Sequence, residues 1–106
     1  MAFNIIALLS PKPGMIDRVE ELLKETAIAV KANEPGTLKY QIHRETKGDA
    51  PAIIMLEMYK DRASLQAHGT SEDFKNLERA FKKEELLASP MKVLFTKESG
   101  GFPSKL

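Results

Sequence analysis

Two histidines are the side chains best suited to acid–base chemistry near neutral pH, and they occur in different settings. His68 precedes Gly69 near the end of a short helical segment, and a neutral imidazole there could remove a proton from a phenol. His43 shares the polar side of a predicted strand with Lys39 and Gln41, which is typical of a solvated histidine. His68 is therefore the candidate catalytic base. The alternative is that it only ends a helix, whose C-terminus favours a positive charge.

Further polar side chains could contact a substrate. Glu57 interrupts an otherwise apolar strand, and a buried carboxylate needs a partner or a raised pKa. It could contact His68 or a substrate hydroxyl, or pair instead with a Lys or Arg at the rim of a dimer. Tyr40 and Tyr59 could hydrogen-bond a ligand oxygen, although strand tyrosines are often core residues with a satisfied hydroxyl. Asn4, near the chain start, is a candidate amide donor.

The composition argues against several classes of function. The chain contains no cysteine, which excludes disulfides, thiolate nucleophiles and Cys-ligated metal sites. The histidines and carboxylates show no metal-ligand spacing, and no glycine-rich phosphate loop precedes a helix, so we expect neither a metal nor another cofactor. Lys and Arg total 16 against 15 for Asp and Glu, which gives no electrostatic basis for binding nucleic acid. The apolar runs are too short to cross a membrane.

The sequence patterns that must position these residues alternate between strands and helices. Strands are predicted over residues 3–9, 37–45, 52–59 and 91–96. A helical period runs from residue 15 to about residue 31, a short helix covers 61–66 with Asp61 as N-cap, and Thr70 or Ser71 caps another helix. The order β-α-β-β-α(α)-β predicts a ferredoxin-like α+β fold. In that fold, a four-stranded antiparallel sheet carries its helices on one face.

The first and third predicted strands are apolar on both faces, whereas the helices cover only one. Ile6 and Leu8 would lie on the second face of one strand, with Ile54, Leu56 and Met58 on the second face of the other. A monomer would expose this surface as a large apolar patch. We therefore expect a homodimer in which two sheets pack face to face into an α+β barrel. The alternative is a monomer whose extra apolar residues are scattered by twist and loops.

Several segments follow one another in a recurring pattern: a Gly before a strand with Tyr, a Glu-x-aromatic at the end of the next strand, and a His that closes a short helix. They are Gly36-Thr37-Leu38-Lys39-Tyr40-Gln41-Ile42, Met55-Leu56-Glu57-Met58-Tyr59-Lys60-Asp61-Arg62, Leu65-Gln66-Ala67-His68 and Ser71-Glu72-Asp73-Phe74. In order and spacing, these segments resemble the antibiotic biosynthesis monooxygenase family over residues 3 to about 97. The resemblance implies a dimeric α+β barrel that oxygenates phenolic, anthrone-like or quinol substrates with molecular oxygen and without a cofactor.

At several positions this chain lacks residues that members of the family use, which limits the activities that the resemblance implies. Its haem-degrading relatives use an Asn, a Trp and a His at the positions of Ala7, His68 and Glu78, so the resemblance does not extend to haem degradation. Asp73 stands where many members have a second site His. The resemblance therefore implies a site that depends on His68 as base, with Asn4, Glu57, Tyr59 and Tyr40 as polar contacts for the substrate.

The sequence predicts a small homodimeric monooxygenase that acts without metal or flavin on an aromatic, phenolic or quinol-type molecule. One alternative is a non-enzymatic barrel that binds a hydrophobic metabolite or acts in a stress response. A further alternative is an isomerase, cyclase or decarboxylase, because one fold supports many activities.

Residues 1–97 are predicted to form the barrel domain, and residues 98–106 a flexible tail that ends in Ser104, Lys105 and Leu106. A C-terminal Ser-Lys-Leu is a peroxisomal import signal that a receptor binds. We therefore expect a peroxisomal protein with the import receptor as a partner if the source is eukaryotic, and a cytoplasmic protein otherwise.

Overall fold

The computed structural model describes residues 1–106, which fold into four strands and three helices. The elements are β1 (Phe3–Leu9), α1 (Ile16–Asn33), β2 (Thr37–Arg44), β3 (Ile53–Tyr59), α2 (Arg62–Gly69), α3 (Glu72–Lys83) and β4 (Lys92–Thr96). The predicted order is confirmed. The helix predicted to end at residue 66 continues to Gly69, so His68 lies in its last turn.

The four strands form one antiparallel sheet in the order β2-β3-β1-β4. Along β1 and β3, buried residues alternate with half-buried ones, and the buried set faces the helices. This arrangement confirms the predicted α+β class, a ferredoxin-like sheet with its helices on one face.

The hydrophobic core lies between the sheet and the helices. Its buried residues come from β1, β3, α1, α3 and the segment after α3: Ala7, Leu9, Ile53, Met55, Val19, Leu22, Leu23, Leu77, Phe81 and Leu86. Burying a large apolar side chain contributes roughly 1.5–3 kcal/mol. The packing of α1 and α3 on the sheet therefore supplies much of the free energy that holds the remaining elements in place.

Side-chain caps fix the starts of the two helices nearest the candidate base. Asp61 accepts a hydrogen bond from the Ser64 N–H at 2.8 Å at the start of α2. Ser71, one of the two predicted caps, accepts one from the Phe74 N–H at 3.2 Å at the start of α3. Such caps each stabilise a helix by about 0.5–2 kcal/mol. The Asp61 cap holds the start of the helix that carries His68, and the Ser71 cap holds the start of the helix that follows it.

The face of the sheet turned away from the helices is apolar and only half-covered in the single chain. Ile6 and Leu8 of β1 lie opposite Leu56 and Ile54 of β3, and Leu94 of β4 lies opposite Ile6. The residues on this face are therefore those that the sequence places on the second face of the sheet.

Residues 97–106 follow β4 and are exposed along their whole length. None of the three helices combines the length and the hydropathy needed to span a bilayer.

Candidate active site

The centre of the candidate site is a buried pair formed by His68 and Glu34. Nδ1 of His68 lies 2.7 Å from Oε1 of Glu34, and the two side chains are 6% and 9% exposed. The Thr37 hydroxyl donates a second hydrogen bond to the same Oε1 at 2.8 Å. An ionised carboxylate can only accept, so Nδ1 carries the hydrogen of the neutral imidazole. Nε2 then holds the lone pair and is the basic nitrogen.

The loop after α1 brings Glu34 beneath α2. Glu34 ends the helix, and its N–H donates to the Val30 carbonyl at 2.9 Å. Gly36 packs so closely on α2 that a Cβ there would lie 2.0 Å from Oγ of Ser64. The Gly36 carbonyl also accepts a hydrogen bond from the Lys60 N–H at 2.8 Å. The loop is therefore fastened to the start of α2, which holds Glu34 within reach of His68.

Three aromatic rings surround the His68 imidazole. The centroids of the Tyr40, Tyr59 and Phe74 rings lie 5.3, 5.6 and 5.1 Å from that of the imidazole. These rings restrict rotation of the imidazole and exclude water from it. A polar interaction is stronger in such surroundings than in water, so the rings strengthen the bond to Glu34.

A second buried carboxyl, Glu57, lies beside the pair. The Tyr59 hydroxyl donates to its Oε1 at 2.5 Å. Burial raises the pKa of Glu57, while the bond from Tyr59 and the nearby His68 act in the opposite direction. Burial and the charge of Glu57 also raise the pKa of both Tyr40 and Tyr59, so both phenols remain protonated and can donate hydrogen bonds.

The structure brings His68, Glu57, Tyr59 and Tyr40 into one cluster and leaves Asn4 outside it. Asn4 lies opposite Met58 and Thr96 in the sheet register, which places it on the face turned away from the helices. The Thr96 hydroxyl donates to the Asn4 carbonyl at 3.3 Å. The amide of Asn4 is therefore across the sheet from the imidazole.

The cluster also contains residues that sequence reasoning missed. They are Glu34, which contacts Nδ1 of His68, and Phe74, whose ring packs against the imidazole. Glu34 and His68 are 34 positions apart. No local pattern in the sequence indicates a contact over that separation, because tertiary packing creates it.

Two open grooves flank the cluster, and His68 lines neither. The first, here called the α3 groove, has a volume of about 860 Å³, and its lining includes Phe74. The second, here called the α2 groove, has a volume of about 770 Å³ and lies between α2 and the end of β4. Phe3 lines the α2 groove, and its ring centroid is 6.1 Å from that of Tyr59. Aromatic rings therefore separate the cluster from both grooves. No group of three or more His, Asp or Glu side chains is arranged to hold a metal ion.

Comparison with known protein families matches residues 2–80 to the family described as antibiotic biosynthesis monooxygenase. Among individual proteins, the chain is 30% identical over 95 residues to the candidate monooxygenase YcnE of Bacillus subtilis (strain 168). That alignment covers 88% of this chain and 94% of YcnE.

Solved structures show the same fold. A candidate antibiotic biosynthesis monooxygenase from Caulobacter crescentus CB15 superposes with a TM-score of 0.82 at 26% identity, covering 93% of this chain and 91% of that one. PA3566 from Pseudomonas aeruginosa superposes with a TM-score of 0.77 at 26% identity, covering 93% and 95% of the two chains.

The raised pKa of Glu57 predicts a pH-dependent stability. The stabilisation associated with the protonated carboxyl is fully present below the ordinary pKa of 4.5 and is lost as the pH rises through the raised value. Glu57→Gln cannot ionise and keeps an acceptor for the Tyr59 hydroxyl. We therefore expect the variant to become more stable relative to wild type as the pH rises from about 4 to about 8. The measurement is the difference between their free energies of unfolding in urea titrations at each pH.

Glu25→Gln, at an exposed position of α1, is the matched control for removal of a carboxyl group. A Glu57→Gln difference that stays constant or decreases over this pH range would contradict the prediction.

Proposed function

The chain belongs to the antibiotic biosynthesis monooxygenase family, and from that premise we propose that it is a cofactor-independent monooxygenase of aromatic, phenolic or quinol-type molecules. The names of its relatives support a general monooxygenase-like function. The observation that carries the finer proposal is the 2.7 Å contact between Nδ1 of His68 and Glu34. This contact leaves Nε2 as the base that such a reaction requires.

The first step is removal of a proton from the substrate. Nε2 of His68 accepts it from a phenolic hydroxyl or from the acidic CH₂ of an anthrone. The imidazole becomes a cation, and the carboxylate of Glu34 stabilises that charge at the hydrogen-bonded Nδ1. A positioned general base of this kind contributes typically about 10²–10⁴-fold to the rate.

The protonated phenols of the cluster stabilise the substrate anion. Tyr59 already donates to Glu57, so Tyr40 is the phenol available to donate to a substrate oxygen. Donors that are in position before charge develops stabilise an anion more strongly than mobile water does. A substrate that enters from either groove displaces Phe3 or Phe74, because these rings separate the cluster from the two grooves.

The electron-rich substrate anion then supplies the electrons for dioxygen. It transfers one electron to O₂, and the resulting substrate radical and superoxide combine into a peroxide anion. This anion takes back the proton held on Nε2 of His68, which regenerates the base. Elimination of water from the peroxide creates a new carbonyl. One oxygen atom enters the product and the other leaves as water, so an anthrone and O₂ give an anthraquinone and H₂O.

The proposal predicts loss of oxygen uptake when the pair is altered. With anthrone and 1,4-naphthalenediol as probes, His68→Gln should lower kcat by about 10²–10⁴-fold. Glu34→Gln removes the charge that stabilises the imidazolium and should lower kcat by about tenfold or more, with KM little changed. An oxygen electrode gives the rates, and product mass shows whether one oxygen atom is gained.

His43→Gln is the matched control, because this histidine lies on the opposite face of the sheet and bonds only Gln41. Equal rates for wild type and His68→Gln would contradict the assigned base. Stoichiometric binding of a probe by the wild type without oxygen uptake would favour a metabolite-binding barrel. A product of unchanged mass, or one that has lost CO₂, would favour an isomerase or a decarboxylase.

We further propose that two copies pack through the open face of the sheet as an α+β barrel. Ile6, Leu8, Ile54, Leu56 and Met58 share this half-covered face. Monomeric proteins rarely expose a large contiguous apolar patch on their surface. A second sheet of the same kind would cover it by an isologous contact.

The dimer has a direct test in sedimentation equilibrium. Wild type should sediment with twice the 11.8 kDa mass of the single chain. Leu56→Lys places a charge at the centre of the open face and should shift the protein to the monomer, because an unpaired buried charge is costly. Ile28→Lys, at a position of α1 that is 73% exposed, should leave the mass unchanged. A monomeric wild type, or a dimeric Leu56→Lys variant, would contradict this proposal.

A further inference from the structure

The α2 groove combines aromatic and cationic side chains, and its lining contains no acid. It is formed by Phe3, Arg62, Leu65, Gln66, Phe95, Thr96 and Lys97. We propose that this groove binds the substrate as an aromatic acid, with the ring against the phenylalanines and the carboxylate between Arg62 and Lys97. This inference rests on the proposed function and specifies the substrate class that it uses.

The aromatic part of the groove is a pair of stacked rings. The centroids of Phe3 and Phe95 lie 6.4 Å apart, with ring planes inclined by 14°. Phe95 is 70% exposed, although it lies opposite the buried Ile5 on the face that the helices cover elsewhere. A flat aromatic ligand would remove this surface from water and stack on it. The volume of about 770 Å³ is within the usual range for small-molecule sites.

The charged part of the groove has cations on both sides. Arg62 begins α2, and Lys97 directly follows β4. The ion pairs of the chain involve other residues, so both cations are available to a ligand. The α3 groove differs, because Glu78 and Glu85 are in its lining beside the cations. Charge complementarity therefore favours an anion in the α2 groove.

The inner side of the groove touches the catalytic cluster. The ring of Phe3 is 6.1 Å from that of Tyr59. Leu65 precedes His68 by three positions on α2, so the two side chains are neighbours on the helix surface. Arg62 precedes His68 by six positions, which corresponds to about 9 Å along the helix axis. Once the Phe3 ring moves aside, a fused ring system can span that distance, with its acid group near Arg62 and its hydroxyl at His68.

Isothermal titration calorimetry with two matched probes tests this inference without turnover. The probes are 2-naphthoate and uncharged 2-naphthamide, which share one ring system. We expect wild type to bind 2-naphthoate about tenfold more tightly than 2-naphthamide, because hydrogen bonds to charged groups are stronger than those between neutral groups. Arg62→Gln and Lys97→Gln should each reduce that preference, and Phe95→Ala should weaken binding of both probes.

Arg79→Gln is the matched control, because Arg79 is a cation of the α3 groove. Equal affinity for the two probes, loss of the preference in Arg79→Gln, or no binding of either probe would overturn the inference. If 2-naphthoate binds more tightly than 2-naphthamide, this preference depends on Arg62 and the protein takes up no oxygen, only the proposed reaction is contradicted. If the protein takes up oxygen but binds the two probes equally, only the assignment of the α2 groove to an aromatic acid is contradicted.

Discussion

The burial of a carboxylate beside an imidazole is the constraint on which this site depends. A buried ionised group costs several kcal/mol unless hydrogen bonds replace its water. Oε1 of Glu34 has hydrogen bonds to His68 and Thr37, whereas the buried Oε2 has none. They form only if the loop after α1 lies directly against α2, which the missing Cβ of Gly36 permits. The contact that pairs Oε1 of Glu34 with the imidazole therefore also selects the tautomer that makes Nε2 of His68 basic.

The alternation of side chains along the strands gives the sheet two different faces, one turned towards the helices and one turned away from them. Glu57, Tyr59 and Tyr40 point towards the helices, where they meet His68 and form a dry polar cluster. Their sequence neighbours, such as Leu56 and Met58, point to the opposite face. The proposed chemistry and the proposed dimer contact thus lie on opposite sides of one thin sheet. A substitution that shifted the strand register by one residue would exchange the two surfaces.

Local patterns in the sequence predicted most of the fold, because strand alternation, helical period and caps are local properties. They also identified His68, Glu57, Tyr59 and Tyr40, which the fold brings together. Asn4 could not be placed in this way, since the face it occupies depends on its register with β3 and β4. The partnership of Glu34 with His68 arises from packing between distant segments. The boundary at residue 97 and the import signal at Ser104, Lys105 and Leu106 stay predictions.

The central claim is that Glu34 holds His68 in the tautomer with a basic Nε2. Nitrogen-15 NMR of the histidine side chains measures this directly, because protonated and unprotonated ring nitrogens give distinct shifts and couplings. At a pH where the His68 ring is neutral, we expect a proton on Nδ1 and a lone pair on Nε2. We also expect the Glu34→Ala variant to populate both tautomers. A proton on Nε2 in the wild type, with Nδ1 unprotonated, would show that Glu34 does not hold His68 in this tautomer.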